Sequence, residues 1–258
     1  MSELIDALRL SFYPSVDSTN NHVKAAIKNH EAEGFCVASF KQTHGYGRQG
    51  RTWESPAGGL YFSLLLRPQV SLERLPSLAL VTALSLRTAL VRVFSIDEET
   101  LQIKWPNDVV VPCGEGYKKL CGISLELIDD AVCVGIGINL CEPPQKIETD
   151  GRYVAAFIED LSSVAIDLSE TFATSLIRSI VSTISKYYSN WQRIGFSCIL
   201  EEYNRASFVQ GKEITVTNIL DDVCFSGCVL GVDELGRLVL QQENGELLSL
   251  CSGEVHIC

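Results

Sequence analysis

The sequence predicts an α+β chain that ends in a small all-β barrel. Strand-length apolar runs such as Gly34–Phe40, Leu60–Leu66 and Val132–Ile138 are interleaved with two long stretches of helical period, Leu75–Phe94 and Glu170–Trp191. After Arg205–Gln210 only short alternating strands remain, separated by turn-forming residues. A composition of 46% apolar residues over 258 positions is ample for a packed core.

Taken in order, Asp17-Ser18-Thr19-Asn20 reads as a helix N-cap ahead of Asn21–Lys28, which alternates at helical period. Gly34–Phe40 is a buried strand entering a loop from Gln42 to Trp53, and Leu60–Leu66 is the strand leaving it. In Leu75–Phe94 the residues Leu78, Val81, Leu84, Leu86, Leu90 and Val93 mark a long core helix. Strand-like Leu101–Lys104 meets Trp105-Pro106-Asn107-Asp108, where Pro106 prevents simple continuation of a ladder. Ile123–Ile128 and Val132–Ile138 flank Asp129-Asp130 as a hairpin. The closing strands are Glu213–Thr217, Val223–Leu230, Leu238–Gln241 and Leu247–Cys251, with turns at Asp221-Asp222, Asp233–Gly236 and Asn244-Gly245. The change of period divides the chain into residues 1–206 and a barrel of 207–258.

With 21 basic against 32 acidic residues the formal charge is -11, which excludes a broad surface for nucleic acid or anionic membrane. No run reaches the roughly 18 apolar residues of a membrane span, and Met1–Ser15 has no basic segment leading into an apolar core. A cytoplasmic protein is expected. The ten cysteines contain no C-x-x-C and scatter through strand-like runs at Cys36, Cys133 and Cys224, the pattern of buried reduced thiols. Cys224, Cys228, Cys251 and His256 lack the turn-forming spacing of a zinc set.

The loop Gln-Thr-His-Gly-Tyr-Gly-Arg-Gln-Gly-Arg-Thr-Trp, residues 42–53, combines three glycines with Arg48 and Arg51, a combination that suits an anion: glycine admits backbone amides close to it, and arginine adds a permanent bidentate charge. Gly45–Gly50 matches G-x-G-x-x-G, but a loop and a strand follow instead of the helix a dinucleotide turn requires. Lys104–Asp108 gathers a cation, an amide and a carboxylate in one rigid turn, and such a carboxylate can carry magnesium. Lys118-Lys119 enters a strand through Gly122; a pair of this kind on its own reads as a solvated edge charge. Gly135-Ile136-Gly137-Ile138-Asn139 ends an apolar strand with glycines of the sort found where a ligand passes close. No hydrolytic triad or histidine metal pair stands out. Cations, glycine-lined backbone, one carboxylate and no evident nucleophile suit phosphoryl or adenylyl chemistry, in which positioning and charge stabilisation dominate.

Asp17–Asn20, Gln42–Trp53, Gly58–Tyr61, Lys104–Asp108, Lys119–Ile123 with Glu126, and Gly135–Asn139 together resemble the ordered motifs of the biotin protein ligase family. The barrel ending Ser252-Gly253-Glu254-Val255 resembles that family's SH3-like domain, so the match spans nearly the whole chain. The resemblance implies a mixed sheet with flanking helices, class II aminoacyl-tRNA synthetase-like, and an ATP-dependent enzyme. Such an enzyme forms biotinyl-5'-AMP and passes biotin to a lysine of the biotin carboxyl carrier protein of acetyl-CoA carboxylase. It further implies that Ser18, Thr19 and Gln42 bind the ureido ring, with Gly45 and Gly122 beside the ligand. Lys119 and Arg48 would grip the carboxylate, and Arg48, Arg51, Trp53, Lys104, Asn107 and Asn139 would hold ATP and the adenylate. Asp108 would bind Mg2+ or help the incoming lysine lose its proton.

The chain departs from the pattern at Tyr46, where many relatives carry arginine and where a tyrosine cannot neutralise a phosphate. Only sixteen residues precede Asp17, fewer than a helix-turn-helix needs, so a ligase that binds no DNA and no membrane is expected, with a homodimer left open. Two other readings stand beside it: a lipoate or octanoate transferase of the same superfamily, and a non-enzymatic adaptor.

Overall fold

The computed structural model describes residues 4–144, 154–218 and 222–257. In chain order the elements are β1 (Arg9–Tyr13), α1 (Thr19–Lys28), β2 (Phe35–Ser39), β3 (Gly59–Leu66), α2 (Leu78–Phe94), β4 (Gln102–Lys104), β5 (Asp108–Cys113), β6 (Gly116–Ile128), β7 (Ala131–Asn139) and β8 (Val154–Ala155). They continue with α3 (Glu170–Ile194), α4 (Leu200–Ala206), β9 (Glu213–Thr217), β10 (Val223–Val232), β11 (Leu238–Gln241), β12 (Leu247–Leu250) and β13 (Glu254–Ile257). The first eight strands form one mixed sheet in the order β1-β2-β3-β7-β6-β5-β4, with β8 added to β6. β1 runs parallel to β2 and β8 parallel to β6, and the other neighbours are antiparallel. The last five strands form an antiparallel sheet, β12-β11-β10-β9-β13. The α+β organisation read from the sequence is thus present.

Because strand side chains alternate between faces, each central strand sorts its residues by parity. Leu60, Phe62, Leu64 and Leu66 of β3 and Val132, Val134, Ile136 and Ile138 of β7 are buried in one core with α2 and α3. The opposite parity serves a smaller layer, in which Val37, Leu65, Ala131 and Cys133 meet Val23, Ala26 and Ile27 of α1. Those three α1 residues stand at i, i+3 and i+4, a single helix face. Beyond the N-terminus of α1 the same sheet face carries Ser63, Gly122, Ser124, Gly135 and Gly137, residues too small to fill the space above them. That unfilled area becomes the floor of a cavity.

β6 and β5 are out of step by one residue. Asp108 pairs with Gly122 and Val109 with Cys121, but Val110 pairs with Lys119, so Leu120 is an extra residue in β6. This β-bulge lets Leu120 and Cys121 both enter the large core. Lys119, which simple alternation would aim at that core, shares the cavity side with Gly122 and Ser124.

Several elements differ from the sequence reading. β6 begins at Gly116 rather than Ile123, so the lysine pair lies inside a strand. β1, β5, α4 and β13 were not anticipated; β1 is a short, half-exposed strand without clean alternation. The helix expected from Leu75 is a 3-10 segment, Leu72–Ser77, that becomes α-helical at Leu78. Leu72–Phe94 is long and apolar enough by composition to cross a membrane, with mean hydropathy 1.5 over its most apolar 18-residue stretch, but most of that stretch is buried in the protein core. Of the expected turn Asp221-Asp222, Asp221 lies outside the described residues. The described cysteines are free thiols; Cys36, Cys121 and Cys133 are buried as expected, whereas Cys113, Cys198, Cys224 and Cys251 are exposed and Cys141 and Cys228 half-buried, Cys224 because its end of β10 lies away from the barrel core.

Candidate functional site

A cavity of about 880 Å³ lies on the open sheet face, enclosed by the glycine-arginine loop, the turn between β4 and β5, and the edge of the barrel. The loop is a folded finger. Gln42 N donates to Ser55 O at 3.1 Å, Trp53 N to Gly45 O at 3.0 Å and Gly47 N to Arg51 O at 2.8 Å, so its two arms pair. Its tip is a single 3-10 turn, Arg48–Gly50, with Gln49 and Gly50 at φ of 59° and 72°. No helix follows that tip, which agrees with rejecting a dinucleotide turn.

One end of the cavity is a neutral hydrogen-bonding array. Gln42 Oε1 accepts from Thr19 N at 2.9 Å and from Thr19 Oγ1 at 3.1 Å, while Gln42 Nε2 donates to Ser55 Oγ at 2.8 Å. Ser63 Oγ lies 2.7 Å from Thr19 Oγ1 and donates to Asn20 Oδ1 at 2.6 Å; Asn20 Nδ2 donates to Ser124 Oγ at 3.2 Å. The amides therefore have fixed orientation before anything binds. Gly45 and Ser18 do not line the cavity. A Cβ on Gly45 would stand 2.3 Å from Ser55 Oγ and 2.8 Å from Gln42 Nε2, so this glycine supports the array from behind. Ser18 is buried at the start of α1 and its side chain makes no capping bond.

The other end is charged. Arg48, Arg51, Lys104 and Lys119 line it against the carboxylates of Glu54, Asp108 and Glu254, a local positive balance in a chain of net charge -11. Lys119 Nζ lies 2.9 Å from Asp108 Oδ1, close enough to pair but not aligned as a hydrogen bond, so that buried oxygen keeps its accepting capacity. Arg48 Nη1 donates to Asn107 Oδ1 at 3.0 Å, and Asn107 Nδ2 donates to Ile123 O at 2.7 Å, so the turn orients the guanidinium. Arg51 pairs with Glu254 of β13, bringing the barrel into the site. Burial lowers the pKa of Arg48, opposed by Asp108 and Glu254. Lys104 is 4% exposed, and burial pulls its pKa down to about 8 against the attraction of Asp108.

Between the two ends stands Trp53. A Cβ on Gly122 would come within 2.7 Å of its ring, and one on Gly137 within 2.6 Å of its Nε1. Both glycines thus make room for the indole; the space expected for a ligand against Gly122 is shared with Trp53. Trp53 Nε1 is buried without a hydrogen-bond partner among the described residues, and Lys119 Nζ lies 5.0 Å from the ring centroid. Asn139 lines the cavity with its Nδ2 donating to Lys119 O at 3.1 Å.

Every other expected site residue, namely Thr19, Gln42, Arg48, Arg51, Trp53, Lys104, Asn107, Asp108, Lys119, Gly122 and Asn139, lines this one cavity. Sequence reasoning missed Asn20, Ser63 and Ser124. Ser63 left a signal, since it is the polar residue in the otherwise apolar run Leu60–Leu66.

Residues 12–140, half of the chain, match the profile of the biotin/lipoate A/B protein ligase family, and residues 210–257 match the biotin protein ligase C terminal domain. The chain belongs to the biotin protein ligase family. This ligase is 28% identical over 242 residues to the bifunctional ligase/repressor BirA of Bacillus subtilis (strain 168), covering 92% of the chain and 70% of that protein. It is 29% identical over 236 residues to the biotin--[acetyl-CoA-carboxylase] ligase of Paracoccus denitrificans, covering 89% and 92% respectively. Among solved structures, the biotin protein ligase from Aquifex aeolicus in complex with biotin and ATP is similar at 28% identity with a TM-score of 0.78, over 97% of this chain and 98% of that one.

Proposed function

We propose that this ligase joins biotin to ATP as biotinyl-5'-AMP, releasing pyrophosphate, and then transfers biotin to a lysine of the biotin carboxyl carrier protein of acetyl-CoA carboxylase. The observation that supports this most is one cavity with a fixed neutral hydrogen-bonding end and a cationic end, bridged by Trp53. The pre-set amides of Thr19 and Gln42 suit the donors and acceptors of a ureido ring in an otherwise apolar slot. Gly45 acts from behind, by leaving room for Ser55 and Gln42 of that array.

When the biotin carboxylate attacks the α-phosphate two anions meet, and fixed cations lower the repulsion. Lys119 grips the carboxylate, Arg48 is aimed by Asn107, and Arg51 exchanges Glu254 for phosphate. Lys104 adds charge from beneath, and Trp53 and Asn139 receive the adenine. Asp108, a buried carboxylate with an oxygen still able to accept, would help to hold magnesium, which would neutralise phosphate charge. In the transfer step the carrier lysine attacks the acyl carbon and AMP leaves; Asp108 would take the lysine's proton. Residues 1–206 would form the biotin and ATP domain and 207–258 its barrel partner, in a cytoplasmic enzyme that binds neither DNA nor membrane.

The test is intact-mass spectrometry of an isolated carrier domain incubated with the ligase, ATP, magnesium and biotin. One biotin adduct is expected, and Lys119→Ala should lower the labelling rate by about a hundredfold or more. A carrier that takes lipoate and refuses biotin would show an acyl ligase of the other kind, and no adduct from either acid would favour the adaptor.

A further inference from the structure

The loop that carries Arg48 and Arg51 has a fastening unrelated to its cations. Tyr46 Oη donates to Glu126 Oε1 at 3.0 Å and accepts from Lys24 Nζ at 2.9 Å, with Asn21 Oδ1 3.3 Å away. Lys24 Nζ lies 2.8 Å from Glu126 Oε2 and 5.2 Å from the Tyr46 ring centroid, which closes a three-membered cluster. Lys24 belongs to α1 and Glu126 to β6, so one phenol ties the loop to a helix and to the central sheet. Tyr46 also bridges Thr52 across the loop, so fixing its position fixes both arms.

We propose that Lys24, Tyr46 and Glu126 form a positioning latch for the phosphate end of the site, holding the loop so that Arg48, two residues beyond Tyr46, is presented to ATP. This rests on the ATP site proposed above. The geometry turns the missing cation at position 46 into a different device. The hydroxyl is engaged with Lys24 and Glu126, and an arginine in its place would set a second positive charge beside Lys24. The charges within the trio nearly cancel, so the latch adds no field of its own to the site. Its hydrogen bonds to Glu126, then to Tyr46, raise the Lys24 pKa, the direction that favours its charged form. The side chains of Lys24 and Glu126 are 30% and 32% exposed, so substitutions there leave the core intact.

The experiment compares the wild-type enzyme with Tyr46→Phe, Lys24→Met and Lys24→Arg in biotin-dependent exchange of pyrophosphate into ATP, and in the rate of tryptic cleavage within the loop at Arg48 and Arg51. Tyr46→Phe and Lys24→Met should each raise KM for ATP about five- to tenfold with kcat and the KM for biotin within about twofold, since a misplaced binding group costs mainly the ligand it holds. Each should speed loop cleavage, the double variant should be no worse than either single one, and Lys24→Arg should restore wild-type behaviour. Equal cleavage rates, or an unchanged KM for ATP with only a lowered melting temperature, would overturn the latch. A wild-type enzyme without exchange activity would instead sink the ligase reading, and the cleavage rates would still decide the latch.

Discussion

Lys104 makes its charge conditional. Its pKa falls from 10.5 to about 8 because burial disfavours the ammonium more than Asp108 restores it. The ammonium is present below about pH 8 and is lost as pH rises through that value. In the free enzyme, kcat/KM for ATP should therefore fall above about pH 8, and Lys104→Met should lack that limb and lie lower at pH 7. Bound phosphate favours the charged lysine, so the limb in kcat should move to higher pH. Stability should respond with the opposite sign. Between about 8 and 10.5 the unfolded chain holds this proton and the folded chain does not, so raising pH stabilises the fold through Lys104 while it weakens ATP binding. Steady-state kinetics and urea melts over the same pH range check both signs; parallel trends would refute the assignment.

At the scale of elements, the loop and the strand-end glycines form one unit. The indole of Trp53 lies on Gly122 and Gly137 because neither has a side chain, and a methyl at Gly137 would come within 2.6 Å of Trp53 Nε1. Gly137→Ala should displace the ring, shift the tryptophan emission and slow adenylate formation by roughly tenfold or more, with little loss of stability, since the displaced ring faces the cavity. An unchanged emission spectrum would contradict this packing. The loop, the Lys104–Asp108 turn and the hairpin at Asp129-Asp130 were legible because each depends on local chemistry: glycine and arginine in a row, a proline after a strand, a turn pair between apolar runs. The facing of Lys119 was not legible from periodicity. By alternation with Cys121, Ile123 and Leu125 it belongs on the core side, and only the ordered motifs marked it for the site. The conflict was itself a signal, because a lysine cannot remain in an apolar core and the ladder must shift to expel it.

For the whole molecule, the least legible feature is the closure of the site by the C-terminal sheet. Arg51 and Glu254 are 203 residues apart in the chain, and no local pattern connects them. A second tie is the hydrogen bond from Trp105 Nε1 to Gly236 O at 3.1 Å, which joins the Lys104–Asp108 turn to a barrel loop. Trp105 is buried, so Trp105→Phe leaves that carbonyl without its donor and should cost about 1–3 kcal/mol. Calorimetry should show a lower midpoint and a weaker link between the two sheets, and an unchanged unfolding profile would mean that the contact carries no load.

The extra residue at Leu120 has a consequence for how this chain tolerates change. Most substitutions near the site alter one side chain, but the orientation of Lys119 is a matter of counting. Removing one residue between Lys119 and Cys121 would leave composition, charge and strand propensity nearly intact while rotating the lysine toward the opposite face of the sheet. For this stretch the facing of Lys119 depends on length as well as identity, and deletion of Leu120 should silence the enzyme as Lys119→Ala does.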